Sequence, residues 1–218
     1  MAKSKTDELF GGISVRTLQL IVMAIVEMCM FSFWSRHLSK QDFGYMAAIN
    51  AILSVVDVIA EAGLGAAIVQ KKNASREFVS TAFTLSFLLG IVAMLVVFFF
   101  APQLASLVSG DENITIPLRI MSVIVLIRTI NSVSNNQLIK QLRFKRNATI
   151  GIVSYIMACV VGVVMALKGF GLYALVASSV SAPVFNIVLI YTTSLKLPKF
   201  KIYRKYTCSK YLWIHTQI

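Results

Sequence analysis

Charged residues punctuate the chain into six stretches in which apolar side chains occupy nearly every position instead of one helical stripe. A soluble helix keeps a polar face for water, so stretches that are apolar all round predict helices surrounded by lipid and by one another. Crossing a hydrocarbon core of about 30 Å takes about 20 helical residues. Residues 78–101, 148–167 and 170–195 meet that length with Lys168, between the last two, as the one interruption. Residues 11–34, 43–69 and 116–139 also meet it, but each carries ionisable groups: Arg16 and Glu27, Asp57 and Glu61, Arg119 and Arg128. The pattern therefore predicts an all-α integral membrane fold, a six-helix bundle over residues 1–197 followed by a basic, aromatic tail over 198–218. The Tyr and Trp of that tail suit the depth of lipid headgroups, and it has no run long enough to cross.

Predicted helix ends agree with this partition. Ser39 and Asp42 open the second helix, and Asp111, Glu112 and Asn113 precede the fourth, with Pro117 expected in its first turn. Gly169 and Gly171 bracket Phe170 in a turn so short that the fifth and sixth helices must form an antiparallel hairpin.

Composition fixes the solvent. Of the 218 residues 57% are apolar and 14% charged, with a mean hydropathy of +0.78. A net charge of +12 would suggest nucleic acid in a soluble protein. Here the cations gather at the ends of apolar stretches, where they meet anionic headgroups, so no nucleic-acid partner is expected. Fifteen of the 21 Lys and Arg fall in the termini and alternate loops on one side, four on the other, and Arg16 and Arg128 within helices. The positive-inside rule then places both termini in the cytoplasm. Cys29, Cys159 and Cys208 make no paired framework and imply neither disulfide nor metal. The apolar segment after the start MAKSKTDELFGG is too long for a leader and lacks a small-residue cleavage site, so it reads as a retained first helix.

Enzyme signatures are absent: there is no phosphate-binding loop, zincin motif or nucleophile elbow, and His37 and His215 lie outside the predicted spans. No catalytic residue, metal or cofactor is expected.

Four stretches carry a resemblance. They are LSKQDFGYMAAINAI, DVIAEAGLGAAIVQKK, APQLASLV leading to PLRIMSVIVLI, and LIKQLRFKRNATIGIVSYIMACVVGVVMALKGFGLYALV. In this order the chain, from about Lys5 to Lys201, resembles the amino-terminal half of the polysaccharide flippases within the multidrug, oligosaccharidyl-lipid and polysaccharide exporter superfamily. That resemblance implies one six-helix half of a two-bundle exporter in a bacterial inner membrane, translocating a polyprenyl-pyrophosphate-linked oligosaccharide for surface polysaccharide. It also implies a second half-bundle or polysaccharide assembly proteins as partners, and a chain that is truncated near its end or half-length. The alternatives are a small-solute or drug exporter of the same superfamily and a non-transporting membrane scaffold.

Ionised groups among lipid tails cost about 2.5–3.5 kcal/mol each on insertion scales, so they normally face a cavity or one another. Arg128, Asn131 or Ser132, Asn135 and Asn136 recur at helical spacing and form a polar stripe. A guanidinium can grip a pyrophosphate or sugar carboxylate and amides can bind sugar hydroxyls, so this stripe, with the deep-lying Glu27, is the candidate cargo cavity. The competing reading pairs Arg128 with Glu27 or Asp57 as an internal brace. Asp57 and Glu61, four apart on one face, are candidates for a coupling ion or proton, although Glu61 also suits a solvated interface. Arg16 is expected to reach the headgroups. Lys140, Arg143, Lys145 and Arg146 are expected to hold lipid headgroups or the carrier's pyrophosphate.

Overall fold

The computed structural model describes residues 2–61, 76–108, 112–141 and 143–193. The described residues form six α-helices, α1 (Ala2–His37), α2 (Lys40–Glu61), α3 (Arg76–Val108), α4 (Thr115–Lys140), α5 (Phe144–Leu167) and α6 (Leu172–Thr193), with a 3-10 turn, Glu112–Ile114, leading into α4. Five of them, all but α2, are long and apolar enough to cross a membrane among the described residues. The predicted continuation of α2 to Val69 lies outside the described residues, as does the tail from residue 194.

Local chemistry accounts for the turns. At the start of α2 the Ser39 hydroxyl accepts the Asp42 amide at 3.1 Å and the Asp42 carboxylate accepts the Ser39 amide at 3.0 Å, a reciprocal cap that satisfies two otherwise free N–H groups. At the end of α5 the Gly169 amide donates to the Ala166 carbonyl at 2.9 Å and the Phe170 amide to the Met165 carbonyl at 3.3 Å. That pattern needs a left-handed residue at its turn, and Gly169 supplies it at φ 77°. The hairpin between α5 and α6 follows.

Three helices are clearly longer than the hydrophobic pattern predicts, α5 by its start at Phe144 instead of residue 148. α1 begins at Ala2 rather than near Gly11. α3 continues through Pro102 to Val108. Proline there removes one helical donor and leaves the Phe98 carbonyl without its usual partner, and its side chain is exposed. Membrane helices tolerate such a residue.

α4 is the hub. It packs along α3 and also against α6 and α2, while α5 pairs with α6 and carries α1 on its other side. Half of the α4 span is buried, 50%, against 11% for α1. α1 and α5 run parallel, as three close approaches in step show: Gly12 against Phe144, Gly151 against Gln19, and Gly162 against Trp34. The main apolar core joins Ile49 and Leu53 of α2, Val97 and Ala101 of α3, Leu118, Met121 and Ile124 of α4, and Leu172 and Val176 of α6. These residues come from the end of the bundle that holds the α1–α2 and α5–α6 turns. Exposed side chains such as Met28, Val58, Phe99 and Leu107 are apolar, as expected of a surface solvated by lipid. Since lipid tails are as apolar as leucine, close packing rather than escape from water holds this core together.

Candidate functional site

The opposite end of the bundle, where α4 turns into α5, is not filled. An open groove of about 550 Å³ lies between α1 and α4 over a floor of α5 and α6. Its lining is polar for a membrane-embedded surface: Arg16 and Gln19 from α1, Arg128, Asn131, Ser132, Asn135 and Asn136 from α4, Asn147, Ser154 and Tyr155 from α5, and Asn186 from α6. All fall within helices long and apolar enough to cross a membrane.

On α4 the polar stripe follows directly from spacing. Positions 128, 131, 132, 135 and 136 share one face of the helix, and that face looks into the groove. The Asn131 amide donates to the Pro183 carbonyl at 2.9 Å, tying α4 to α6. Its own carbonyl oxygen has no hydrogen-bond partner although the residue is only 7% exposed. Asn186, one turn beyond Pro183 on α6, likewise has a buried amide oxygen without a partner. Asn136 donates back to Ser132 at 2.8 Å. Ser134, beside the stripe, shares a hydrogen bond of 2.8 Å with the Tyr191 hydroxyl and reinforces the α4–α6 contact.

Arg128 is held by an ion pair with Asp57, whose other carboxylate oxygen is buried and unpartnered. The side chains are 38% and 17% exposed, so the guanidinium still reaches the groove while the carboxylate stands behind it, outside the lining. At the outer end Arg16 donates to the Gln19 amide oxygen at 2.7 Å. Arg16 has no acidic partner among the described residues and is the groove's uncompensated cation.

The residues singled out from the sequence are thus partly gathered. Arg128, Asn131 and Asn135 come together in one groove, joined by Arg16, which had been expected at the headgroups. Glu27 lies on the same α1 face one turn beyond Met23 and is exposed, but it does not line the groove. Asp57 faces Arg128; the Glu61 side chain lies outside the described residues. Of the basic run, Arg143 and Lys145 are exposed, the Lys140 side chain is outside the described residues, and Arg146 donates to the Thr193 carbonyl, where it caps the negative end of α6.

Gln19, Asn147, Ser154, Tyr155 and Asn186 were missed. Each is a single polar residue in an apolar helix, and no one helix repeats them often enough to form a stripe. Gln19 alone carried a signal, at one turn from Arg16.

Comparison with known proteins gives the setting for this groove. Residues 33–214 match the family model described as polysaccharide biosynthesis protein. The succinoglycan biosynthesis transport protein ExoT of Rhizobium meliloti (strain 1021) is 28% identical over 166 residues, 76% of this chain and 33% of that protein. The teichuronic acid biosynthesis protein TuaB of Bacillus subtilis (strain 168) is 21% identical over 155 residues, 71% of this chain and 32% of that protein. An uncharacterized membrane protein in the cps region of Klebsiella pneumoniae is 26% identical over 110 residues. The aligned part spans about a third of the length of the first two relatives. No solved structure matches.

Proposed function

The chain belongs to the polysaccharide biosynthesis protein family, and from that premise we propose that it is part of a flippase carrying a lipid-linked oligosaccharide across the bacterial inner membrane for surface polysaccharide. The observation that carries this reading is the groove itself. Amide, hydroxyl and guanidinium groups, set among apolar side chains such as Leu20, Met23 and Ile139, line about 550 Å³ of space within the membrane-spanning part of the bundle. Hydrocarbon alone would reject such a surface, whereas a sugar offers it hydrogen-bond partners.

The positive-inside count puts the termini and the α4–α5 turn in the cytoplasm. The groove then opens toward the side on which sugar nucleotides are used, and the apolar core seals the far side. In this reading a polyprenyl tail stays in lipid beside α1 while the diphosphate and sugars enter the groove. Arg128, Asn131 and Asn135 bind the cargo, and Arg143 and Lys145 attract the carrier's headgroup. No bond is made or broken. A transporter of this kind works by rocking one bundle against another, so a second half-bundle, from a longer polypeptide or a second copy, completes the pathway. Polar amides rather than an acidic, aromatic lining favour a glycan over a cationic drug.

The test is binding by the full chain in lipid nanodiscs. A polyprenyl diphosphate carrying a neutral disaccharide is expected to bind more tightly than the same diphosphate without sugar. Asn131→Ala with Asn135→Ala is expected to remove that difference. Equal affinity for both lipids in the unmodified protein would overturn the proposal.

A further inference from the structure

Resting on that reading, we infer that the groove is built for uncharged sugars, and that Asp57 is the residue that sets this preference by neutralising Arg128. The argument starts from the donors and acceptors that remain. In the wall formed by α4 and α6, the amide oxygens of Asn131 and Asn186 are buried without partners. An oxygen in that state lacks a donor, and leaving it so is costly. A sugar hydroxyl carries one. A carboxylate has no proton to offer and would set its own lone pairs against these oxygens.

Charge points the same way. Arg128, the cation at that wall, is ion-paired with Asp57. A uronate or other acidic sugar would have to draw the guanidinium from its partner and leave the Asp57 carboxylate, 17% exposed, without a counter-charge. A neutral hexose makes no such demand: the guanidinium N–H groups not engaged by Asp57 donate to its oxygens while the pair stays closed. The uncompensated cation of the groove is Arg16, two residues inside the α1 span that begins at Ser14. That is the depth of a lipid's phosphate. The diphosphate belongs at Arg16 and Gln19, and the sugars belong deeper, along Asn131, Asn186 and Tyr155. Asp57 does not line the groove, so it acts as a positioning and specificity residue through Arg128 rather than by contact.

The experiment compares two probes on the full chain in nanodiscs: a polyprenyl diphosphate bearing a galactose–glucose disaccharide, and the same lipid ending in glucuronate. The unmodified protein is expected to prefer the neutral glycan by at least about tenfold. Asp57→Asn frees the guanidinium charge and is expected to raise affinity for the glucuronate lipid until the two bind within about twofold of each other. Adding Arg128→Gln to Asp57→Asn removes the freed charge and is expected to restore the neutral preference. A unmodified protein that binds both glycans equally, or one that prefers the glucuronate lipid, overturns the inference whether or not the variants fold. So does an unchanged ratio in Asp57→Asn. In each of those cases sugar-dependent binding persists and the flippase reading stands. Loss of any sugar dependence in the unmodified protein removes both.

Discussion

Breaking the Arg128–Asp57 pair from its two sides should not cost the same. Arg128→Gln leaves behind a carboxylate that is 17% exposed and has lost its counter-charge, with one oxygen already unpartnered. An unpaired ion among lipid tails costs about 2.5–3.5 kcal/mol on insertion scales, and the small residual exposure lowers that to about 2 kcal/mol. Asp57→Asn leaves a guanidinium that is 38% exposed, and the new amide oxygen can still accept from it. Water in the groove screens that charge, so the loss should be about 0.5–1 kcal/mol. The double variant removes both ions and should cost less than about 1 kcal/mol, well under the sum of the single losses. At about 2–4 °C per kcal/mol for a chain of this size, thermal unfolding in detergent followed by far-ultraviolet circular dichroism should place Arg128→Gln about 4–8 °C below the unmodified protein. Asp57→Asn should lie within about 4 °C of it. If Asp57→Asn is the more damaging change, or if the double variant loses the sum of the two, the pair is not the closed, asymmetrically exposed brace described above.

Gly162→Ala should destabilise the bundle by about 1–3 kcal/mol, because the added methyl would lie 2.5 Å from Trp34 and 2.9 Å from Ser178, where α1, α5 and α6 meet. Gly44→Ala, on α2 with nothing within 4 Å, should be neutral or stabilise by up to about 1 kcal/mol, and the same melting assay separates the two. Gly151→Ala should leave the melting temperature within about 3 °C but weaken binding of the glycan-free polyprenyl diphosphate several-fold. Its methyl would lie 2.5 Å from the end of the flexible Gln19 side chain, which must move off Arg16.

Most of the bundle was legible in the sequence because lipid leaves few ways to read a hydrocarbon-length segment. The capping pair Ser39 and Asp42 and the Gly169 turn were visible as local chemistry, and both appear with the expected hydrogen bonds. The end of α3 was not visible. Proline normally marks a helix boundary, and nothing in the pattern indicates that the helix continues through Pro102 with its ring on an exposed face. The α4 half of the groove was legible for the same reason as the helix itself, since five polar residues share one face. The α1, α5 and α6 contributions depend on how helices align. Gln19 joins Asn147 and Tyr155 only because Gly12, Gly151 and Gly162 let α1 lie parallel on α5 in one register, and a register between distant segments leaves no period in either.

The placement of the polar stripe on α4 follows from the packing of α4 itself. A helix at the rim, such as α1, has neighbours on one side only, so a row of amides there would turn toward lipid wherever it missed the groove. α4 packs against α2, α3 and α6, and the edge it leaves to lipid, Ile116, Ile120 and Val123, is apolar. Its apolar residues Leu118, Met121 and Ile124 seal one end of the bundle while Arg128, Asn131 and Asn135, one to three turns further along, open the other. One helix can therefore change from core to cavity wall along its length without exposing either surface to hydrocarbon. The same stripe ties α4 to its neighbours: the Asn131 amide donates to the Pro183 carbonyl of α6, and Arg128 is ion-paired with Asp57 of α2.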